Sequence, residues 1–344
     1  MYFSPRYPGF VFDFGGQAGV KCVELPLRTP GMLPTAAELD RFLEEQTKAG
    51  VAVRMCVLCH PDNPTGYVWT RAECLRLVAW CRQNEVLLVS DEIYAKSPQW
   101  AAATTTPTRE DRRDSTVVLV IDDPAPGAPS SGSTAKSGSV VPERFQSLWR
   151  YADVTLWGLS KDIGLAGLRC GVMYSPHASL FRKARTYAEP MQLPAIYQTV
   201  LAEVLADKGF IDKYLADLCQ ELQLARQAVR KKLVDELRLS IDLPEVGKRA
   251  DGGVFVWVDF SEFGIPSADL FSILLEEYRV FLAPGHSFFD APALGDACYH
   301  LRLCFAGCSP DTLAVGLERV ARFVRDARDG KFAPRTPSTT GSIE

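Results

Sequence analysis

Three features that would define broad classes of protein are missing from this sequence. No uninterrupted apolar stretch reaches the roughly 18 residues that a membrane-spanning helix needs, so an integral membrane protein is not predicted. There is no sustained basic run, and 42 acidic residues outnumber the 38 lysines and arginines. A nucleic acid or an anionic membrane surface therefore has no electrostatic support as a partner. The N-terminus lacks a charged region followed by an apolar run, so no signal peptide is predicted.

The ten cysteines are spread through apolar segments. That distribution is typical of a reduced intracellular enzyme rather than of a disulfide scaffold, and it predicts a cytoplasmic location. Two pairs, Cys56 with Cys59 and Cys304 with Cys308, have the close spacing of metal ligands. Because the first member of each pair lies in a strand-like run with no turn before the second, we predict buried apolar thiols and no metal site.

What the sequence does contain is an ordinary globular composition. Its 344 residues are 47% hydrophobic and 23% charged, which is enough apolar material for a sizeable core and excludes a disordered or fibrous protein. The length predicts two domains, or one large domain with a smaller one attached.

The first half of the chain alternates short apolar runs with helical patterns, which predicts a parallel sheet in an α/β domain. The runs are rich in Val, Leu and Ile on both faces, as in sheets that helices cover on both sides. Thr70 followed by Glu73 predicts a capping box for a helix over 71–84, and a second helix is predicted over 35–50. The predicted strands cover residues 20–26, 52–59, 86–90, 116–121, 154–159 and 170–174.

The second half predicts a long helix and then a smaller α+β domain. An amphipathic helix runs from Phe210 to about Leu237, and strands over 252–259 and 300–305 alternate with helices over 268–278 and 310–326. Residues 125–139 carry one large side chain, Lys136, and predict a disordered surface loop. The predicted units are a large domain over 1–209 with an insert at about 101–142, an interdomain helix over 210–237, a small domain over 238–329 and a mobile tail over 330–344.

Polar residues follow two of the predicted strands at the point where each strand ends. The sharp turn after Cys59 presents the amide of Asn63, and Asp91 follows the next apolar run with Tyr94 three residues on. In open α/β sheets this edge is where ligands bind. A plain turn at Asn63, and a helix N-cap at Asp91 with Tyr94 as a packing residue, are the structural alternatives.

A third segment follows the strand over 154–159. Lys161 leaves an apolar run, a glycine-rich turn comes next, and Arg169 precedes another strand. A lysine amine can attack carbonyl carbons when burial or nearby cations depress its pKa, and an arginine offers a two-pronged fork for phosphate. Ser-Lys pairs are common without any function, whereas the full run with three glycines at this spacing is not.

These three segments, in this order, resemble the cofactor-binding signature of class I and II aminotransferases, which are fold-type I enzymes that use pyridoxal 5'-phosphate. The branch they resemble most is that of 1-aminocyclopropane-1-carboxylate synthase-like proteins. The resemblance implies a mostly parallel seven-stranded-type sheet in the large domain. The residues that carry the narrower resemblance are Tyr7-Pro8-Gly9-Phe10, the run from Ser160 to Arg169, Ala283-Pro284-Gly285-His286-Ser287-Phe288 and the run from Leu301 to Ala306.

The resemblance implies a role for each matching residue. Lys161 would form the Schiff base with the cofactor and shuttle the substrate α-proton. Asp91 would pair with the pyridinium nitrogen, and Arg302 would hold the substrate α-carboxylate. The remaining positions are cofactor contacts: Asn63 and Tyr94 at the phenolic oxygen, Ser160 and Arg169 at the phosphate, and Tyr7 near the ring, where a packing aromatic is the alternative.

Three departures from the family pattern stand beside these matches. The family has a substantial portion before the residues that match Tyr7, so the resemblance implies an N-terminally truncated chain without the glycine-rich phosphate turn. Gly158 stands where relatives have a hydroxyl residue, and the insert lengthens the spacing between Asp91 and Lys161. Loss of a charge-assisted hydrogen bond at Gly158 would remove about 1.5–3 kcal/mol of gross interaction with the phosphate.

On this basis the sequence supports one leading function and one alternative, and it excludes a third. The leading hypothesis is a pyridoxal-phosphate enzyme acting on α-amino acids, by transamination or by α,γ-elimination from S-adenosylmethionine, and working as a homodimer. The alternative is a truncated or degenerate non-catalytic relative. A nicotinamide dehydrogenase is excluded because no Gly-x-Gly-x-x-Gly follows the first strand.

Overall fold

The structure is a computed structural model that describes residues 1–28, 31–97, 145–241 and 252–332. The predicted strand over 116–121, the low-complexity stretch over 125–139 and the last twelve residues of the predicted tail lie outside the described residues.

The larger sheet has six strands within the described ranges. Its order is β2-β1-β3-β4-β5-β6, and every neighbouring pair is parallel except β5 with β6. Cys59 pairs with Asp91 and Asp91 with Leu156, so the carboxyl ends of the three central strands lie side by side. The strands are β1 (Tyr2–Ser4), β2 (Glu24–Pro26), β3 (Met55–Cys59), β4 (Leu87–Asp91), β5 (Val154–Gly158) and β6 (Gly171–Tyr174).

The strands predicted for this sheet within the described residues are found, and the first two begin several residues later than predicted. The strand predicted over 20–26 is confined to β2, and that predicted over 52–59 begins at Met55. β1 was not predicted because it is only three residues long and ends just before Pro5, which leaves no periodicity to read. Its side chains are nevertheless buried between β2 and β3.

Two helices that cover this sheet begin with capping boxes. In α1 (Ala36–Lys48) and α2 (Arg71–Gln83) the N-cap is a threonine and the third helical residue is a glutamate. Glu73 N donates to Thr70 Oγ1 over 3.2 Å, and Thr70 N donates to Glu73 Oε2 over 2.9 Å. The box predicted at Thr70 is confirmed, and it satisfies backbone donors that the first helical turn leaves unpaired.

Three more helices lead out of the large sheet. They are α3 (Ala178–Ala188), α4 (Ala195–Ala206) and α5 (Lys208–Arg230), and α5 continues as a π-helical segment over Lys231–Glu236. The predicted long helix is confirmed, as is its apolar side, since Leu215, Leu222, Val229 and Leu233 are buried.

The smaller sheet is antiparallel throughout and has its own core. Its order is β7-β8-β10-β9, with β7 (Ser240–Ile241), β8 (Phe255–Asp259), β9 (Ala283–Pro284) and β10 (His300–Cys304). The core of this part of the chain also takes in the C-terminal end of the long helix, α6 (Ser267–Glu276) and α8 (Pro310–Arg328). The short α7 (Pro292–Asp296) lies between β9 and β10 along the chain.

Helices long and apolar enough to cross a bilayer are absent from the ranges that the structure describes.

The long helix provides a test of this core with an internal control. Leu233 is fully buried among residues of the smaller sheet, whereas Leu224, on the same helical rod, is 53% exposed. We expect Leu233→Ala to lower the free energy of unfolding by about 2–5 kcal/mol, because it leaves a cavity. Leu224→Ala should change it by less than about 0.5 kcal/mol. Urea denaturation followed by tryptophan fluorescence measures both, and equal effects would contradict the assigned helix faces.

Candidate active site

The turn after β3 places Asn63 where the two sheets meet. His60 N donates to Asp91 O over 2.8 Å, which ties the end of β3 to the end of β4. Gly66 has φ +77°, and a Cβ there would lie 3.0 Å from Gly252 O and 3.1 Å from Phe255 O. Only glycine therefore allows the turn and the chain leading into β8 to approach so closely. The plain-turn alternative accounts for this backbone but not for the contact that Asn63 makes.

Asn63 contacts Arg302 from the smaller sheet. Arg302 Nη1 donates to Asn63 Oδ1 over 2.8 Å. The guanidinium carbon lies 4.2 Å from the ring centre of Phe255 and 5.0 Å from that of Phe288. Burial lowers the pKa of Arg302, and its Nε is a buried donor with no hydrogen-bond partner among the described residues. A half-buried guanidinium with a buried, unused donor is suited to receive an anion.

Asp91 is the last residue of β4, and Tyr94, in the turn that follows, lies near this arginine. The buried ring of Tyr94 meets Phe255 edge-on with ring centres 5.4 Å apart. Its hydroxyl interacts electrostatically with both Arg302 and Asp91, and burial raises the pKa of Tyr94, so the hydroxyl keeps its proton. Tyr94 is therefore a packing residue and a neighbour of the polar group at once.

Asp91 is a carboxyl group without a cationic partner in the described chain. Its Oδ1 accepts a hydrogen bond from Ile93 N over 3.2 Å, within a turn rather than at the start of a helix. Burial, with a smaller contribution from the carboxylate of Asp13, raises the pKa of Asp91 to about 6. The helix N-cap alternative is wrong, because the residues that follow Asp91 form a turn and not a helix.

Lys161, Ser160 and Arg169 form a second, more exposed group on the connection from β5 to β6. Lys161 is exposed, and its carbonyl accepts from Gly164 N over 3.1 Å. Arg169 is also exposed, with φ +54°, and its Nη1 donates to Ala166 O over 3.2 Å. The burial that the sequence analysis required of this lysine is thus not found among the described residues. The structure brings Asn63 and Tyr94 to Arg302, places Asp91 near Tyr94, and leaves the lysine group at the neighbouring strand end.

Tyr7 is partly exposed and lies near Arg302. Its side chain is 41% exposed, its ring meets Phe10 edge-on at 5.5 Å, and it interacts electrostatically with Arg302. A Cβ at Gly9 would lie 2.3 Å from the Tyr7 ring, so the glycine makes room for the ring. The tyrosine therefore borders the Asn63–Arg302 group from the side of β1.

Two features were missed or misread in the sequence. The backbone at Gly158 is tight, since a Cβ there would lie 3.0 Å from Cys170 O, so the chain entering β6 leaves little room for the hydroxyl residue that the resemblance implied. Asp162 was not singled out, yet it is buried, and its Oδ2 accepts from Trp157 Nε1 over 2.9 Å and from Lys96 N over 3.0 Å. It ties the lysine turn to the segment that follows Tyr94. The only signal in the sequence was an acidic residue directly after Lys161.

Asp162 provides a pH-dependent test of this arrangement. Burial raises its pKa from 3.8 to about 6, so its contribution to stability is full below the lower value and is lost as the pH rises through the upper one. Asp162→Asn keeps an oxygen for both donors and does not titrate. We expect the unfolding free energy of the wild type, relative to this variant, to fall by up to about 3 kcal/mol between these pH values.

Asp162→Ala separates the hydrogen bonds from the charge. This variant leaves two partly buried N–H donors unpaired, and each should cost up to about 1–3 kcal/mol at every pH. Urea denaturation at a series of pH values measures all three proteins. A wild-type-to-Asn difference that stays constant with pH would contradict the buried carboxyl described here.

Comparison with known proteins shows which family this chain resembles. The family profile of aminotransferase class I and II matches residues 2–320. Among curated relatives, 1-aminocyclopropane-1-carboxylate synthase 4 of Oryza sativa subsp. japonica is 28% identical over 355 residues, covering 97% of this chain and 64% of the relative. The probable aminotransferase ACS12 of Arabidopsis thaliana is 25% identical, with 94% and 58% covered. The chain thus spans about three fifths of the length of these relatives.

Solved structures show the same fold at low sequence identity. An aspartate aminotransferase double mutant of Thermus thermophilus has a TM-score of 0.67 and 22% identity, covering 93% of this chain and 68% of that one. The aromatic aminotransferase of Pyrococcus horikoshii OT3 has a TM-score of 0.70 and 19% identity, with 95% and 73% covered. The α/β fold expected from the resemblance is confirmed. With a family profile that matches almost the whole described chain, this protein belongs to the class I and II aminotransferases.

Proposed function

We propose that this chain is a pyridoxal-phosphate-dependent enzyme that acts on α-amino acids through Lys161. The observation that carries the proposal is the half-buried Arg302, which donates to Asn63 beside Tyr94 and whose buried Nε has no partner among the described residues. Family membership supports it, because class I and II aminotransferases are pyridoxal-phosphate enzymes. The same group also speaks against the non-catalytic alternative, since burying an arginine without a full set of partners costs stability that a purely structural role does not require.

The residues present fit the cofactor chemically. Asp91 is a partly buried carboxylate that lacks a cation, which a protonated ring nitrogen would provide. Tyr94 and Asn63 offer donors for the phenolic oxygen, and Tyr7 offers an exposed aromatic face. On the neighbouring connection, Ser160 and Arg169 offer a hydroxyl and a guanidinium for a phosphate.

When bound, pyridoxal phosphate supplies an aldehyde that condenses with amines and a ring that accepts an electron pair. The protein supplies the rest. Arg302 would orient the amino acid by its carboxylate, and Phe255 and Phe288 shield that contact from water. Lys161 Nζ would take the proton from the substrate Cα and return it at a later step. Asp91, once paired with a cation, would have its pKa lowered again and stay ionised at neutral pH.

Two reactions share these first steps. Curated relatives include proteins named 1-aminocyclopropane-1-carboxylate synthase and one named probable aminotransferase, so both transamination and α,γ-elimination are proposed here. Incubation of the cofactor-loaded protein with S-adenosylmethionine, alanine or aspartate, with analysis of products, separates them. A cyclopropane amino acid indicates elimination, and a keto acid indicates transamination.

We further propose a homodimer in the cytoplasm, with the domain boundaries predicted from the sequence. The exposed apolar side chains of α3 and α4 support a partner surface, among them Phe181, Tyr187, Ile196 and Val200. Light scattering of the purified chain measures the oligomeric state.

The central test is covalent attachment at Lys161. After loading with pyridoxal phosphate and removal of the excess, we expect the wild type to keep a visible absorption band and borohydride to fix one cofactor on the peptide that contains Lys161. Lys161→Ala should lose both signals, because the amine that bonds to the aldehyde is gone. Lys183→Ala, which removes an exposed lysine of α3, is the matched control and should retain them. A folded wild type with no band and no labelled peptide would favour the non-catalytic alternative.

The substrate side of the site has its own test. Arg302→Lys keeps a positive charge but loses the planar fork, so we expect amino-acid binding to weaken by about 10- to 100-fold. Cofactor retention and borohydride labelling at Lys161 should not change. Spectral titration of the loaded protein with L-alanine and L-aspartate measures the affinity, and unchanged affinity would remove Arg302 from the proposed site.

A further inference from the structure

A group of side chains that none of the proposed steps uses joins the larger sheet to the smaller one. It consists of Tyr2, Arg6, Glu24 and Asp290, and we name it the interdomain clasp. We infer that Arg6 and Asp290 are positioning residues, which set the place of Arg302 relative to the segment that carries Tyr7. The inference deepens the proposed function and rests on it for the role of Arg302.

The clasp centres on the carboxylate of Asp290. Arg6 Nε donates to Asp290 Oδ1 over 3.0 Å, and Arg6 Nη2 donates to the same oxygen. Tyr2 Oη donates to Asp290 Oδ2. Burial and the bond to Asp290 raise the pKa of Tyr2, which keeps its hydroxyl protonated and able to donate. Tyr2 and Arg6 are both buried, so water competes little for these bonds.

Backbone contacts fix the same stretch of the smaller domain. Arg6 N donates to Phe288 O over 2.9 Å. Glu24 accepts from Asp290 N over 2.9 Å and from Ala291 N over 2.6 Å, using a different carboxylate oxygen for each. Because Tyr2 and Glu24 lie on adjacent strands of the larger sheet and Arg6 follows the first of them, residues 288–291 are held from both strands.

One end of this stretch leads directly to Arg302. The ring of Phe288 lies 5.0 Å from the Arg302 guanidinium carbon and meets Trp257 edge-on at 5.2 Å. Upstream, Ala283 pairs with Arg302 in the antiparallel register of β9 and β10. Displacement of residues 288–291 would therefore move an aromatic wall of the guanidinium.

The clasp also contacts Tyr7, through Arg6. Arg6 Nη1 donates to Tyr7 O over 3.2 Å, so the arginine that grips Asp290 also fixes the backbone of the next residue. Arg6 thus contacts both segments that border the proposed substrate site. An arginine placed only to join two domains would not need this contact, whereas an arginine that sets the spacing between Tyr7 and Arg302 does.

The first experiment separates positioning from scaffolding. In the full chain loaded with pyridoxal phosphate, Asp290→Ala should raise the half-saturating concentration of L-alanine by about tenfold or more. A tenfold rise corresponds to about 1.4 kcal/mol of binding free energy. Cofactor retention, labelling of Lys161 and the rate at saturating L-alanine should stay within about twofold of the wild type, because none of the clasp atoms is placed at the reacting centre. A fall in stability with unchanged half-saturation would overturn the inference, and so would equal losses in both kinetic quantities.

Graded variants keep the test informative if Asp290→Ala does not fold. Tyr2→Phe removes a single bond to the carboxylate, and Asp290→Asn keeps an acceptor but removes the charge. Both should raise the half-saturating concentration of L-alanine, but by less than Asp290→Ala does. Glu262→Gln is the control, since it removes an exposed ion pair with Arg328 in the same domain, where the two charged atoms lie 2.8 Å apart. A control effect as large as that of Asp290→Asn would overturn the inference.

Hydrogen exchange separates failure of this inference from failure of the proposed function. In the chain without cofactor, Asp290→Asn should increase exchange at residues 285–291 and 300–304, with no change at 71–83. A wild type that retains no cofactor contradicts the proposed function, yet this exchange pattern would still support the clasp. Unchanged exchange at 300–304 in a folded variant would contradict the clasp even when the enzyme is active.

Discussion

The hydrogen bond from Arg302 to Asn63 is the contact on which the rest of the site depends. It joins a strand of the smaller sheet to the turn that ends β3, and the charged group is held between two aromatic rings. Burying a guanidinium is costly unless its donors find partners, and one donor here has none within the described chain. The two domains therefore meet around a charge whose hydrogen bonding is incomplete, and completing it is the natural role of an anionic ligand.

The parallel sheet explains why the other polar groups gather beside that contact. Parallel neighbours bring their carboxyl ends to one edge, so Asn63 after β3, Asp91 at the end of β4 and Lys161 after β5 are placed in a row by register alone. The sharp turns that follow the strands then set the position of each side chain at this edge. Close backbone approach fixes those turns, at Gly66 against the chain entering β8 and at Gly158 against β6.

The sequence carried enough local information to predict the central strands, the capping box at Thr70, the apolar side of the long helix and the candidate residues at strand ends. Each of these depends on residues a few positions apart, where periodicity and turn chemistry can be read. β1 is too short for a period, and α4 is apolar on faces that remain exposed, so its pattern did not indicate a helix side. The clasp joins Arg6 to a residue 284 positions away, and no local rule detects such a contact.

Two unmet charges of opposite sign define what the site is built to receive. Asp91 is an acid whose pKa burial raises, and Arg302 is a base whose pKa burial lowers. Each perturbation would be relieved by a group of the opposite charge, and Tyr94 interacts with both residues from between them. A ligand with a cationic ring nitrogen at one end and a carboxylate at the other would satisfy both sites at once. The joined cofactor and amino acid of a pyridoxal-phosphate enzyme have that distribution of charge, which is why the electrostatics and the family assignment lead to the same chemistry.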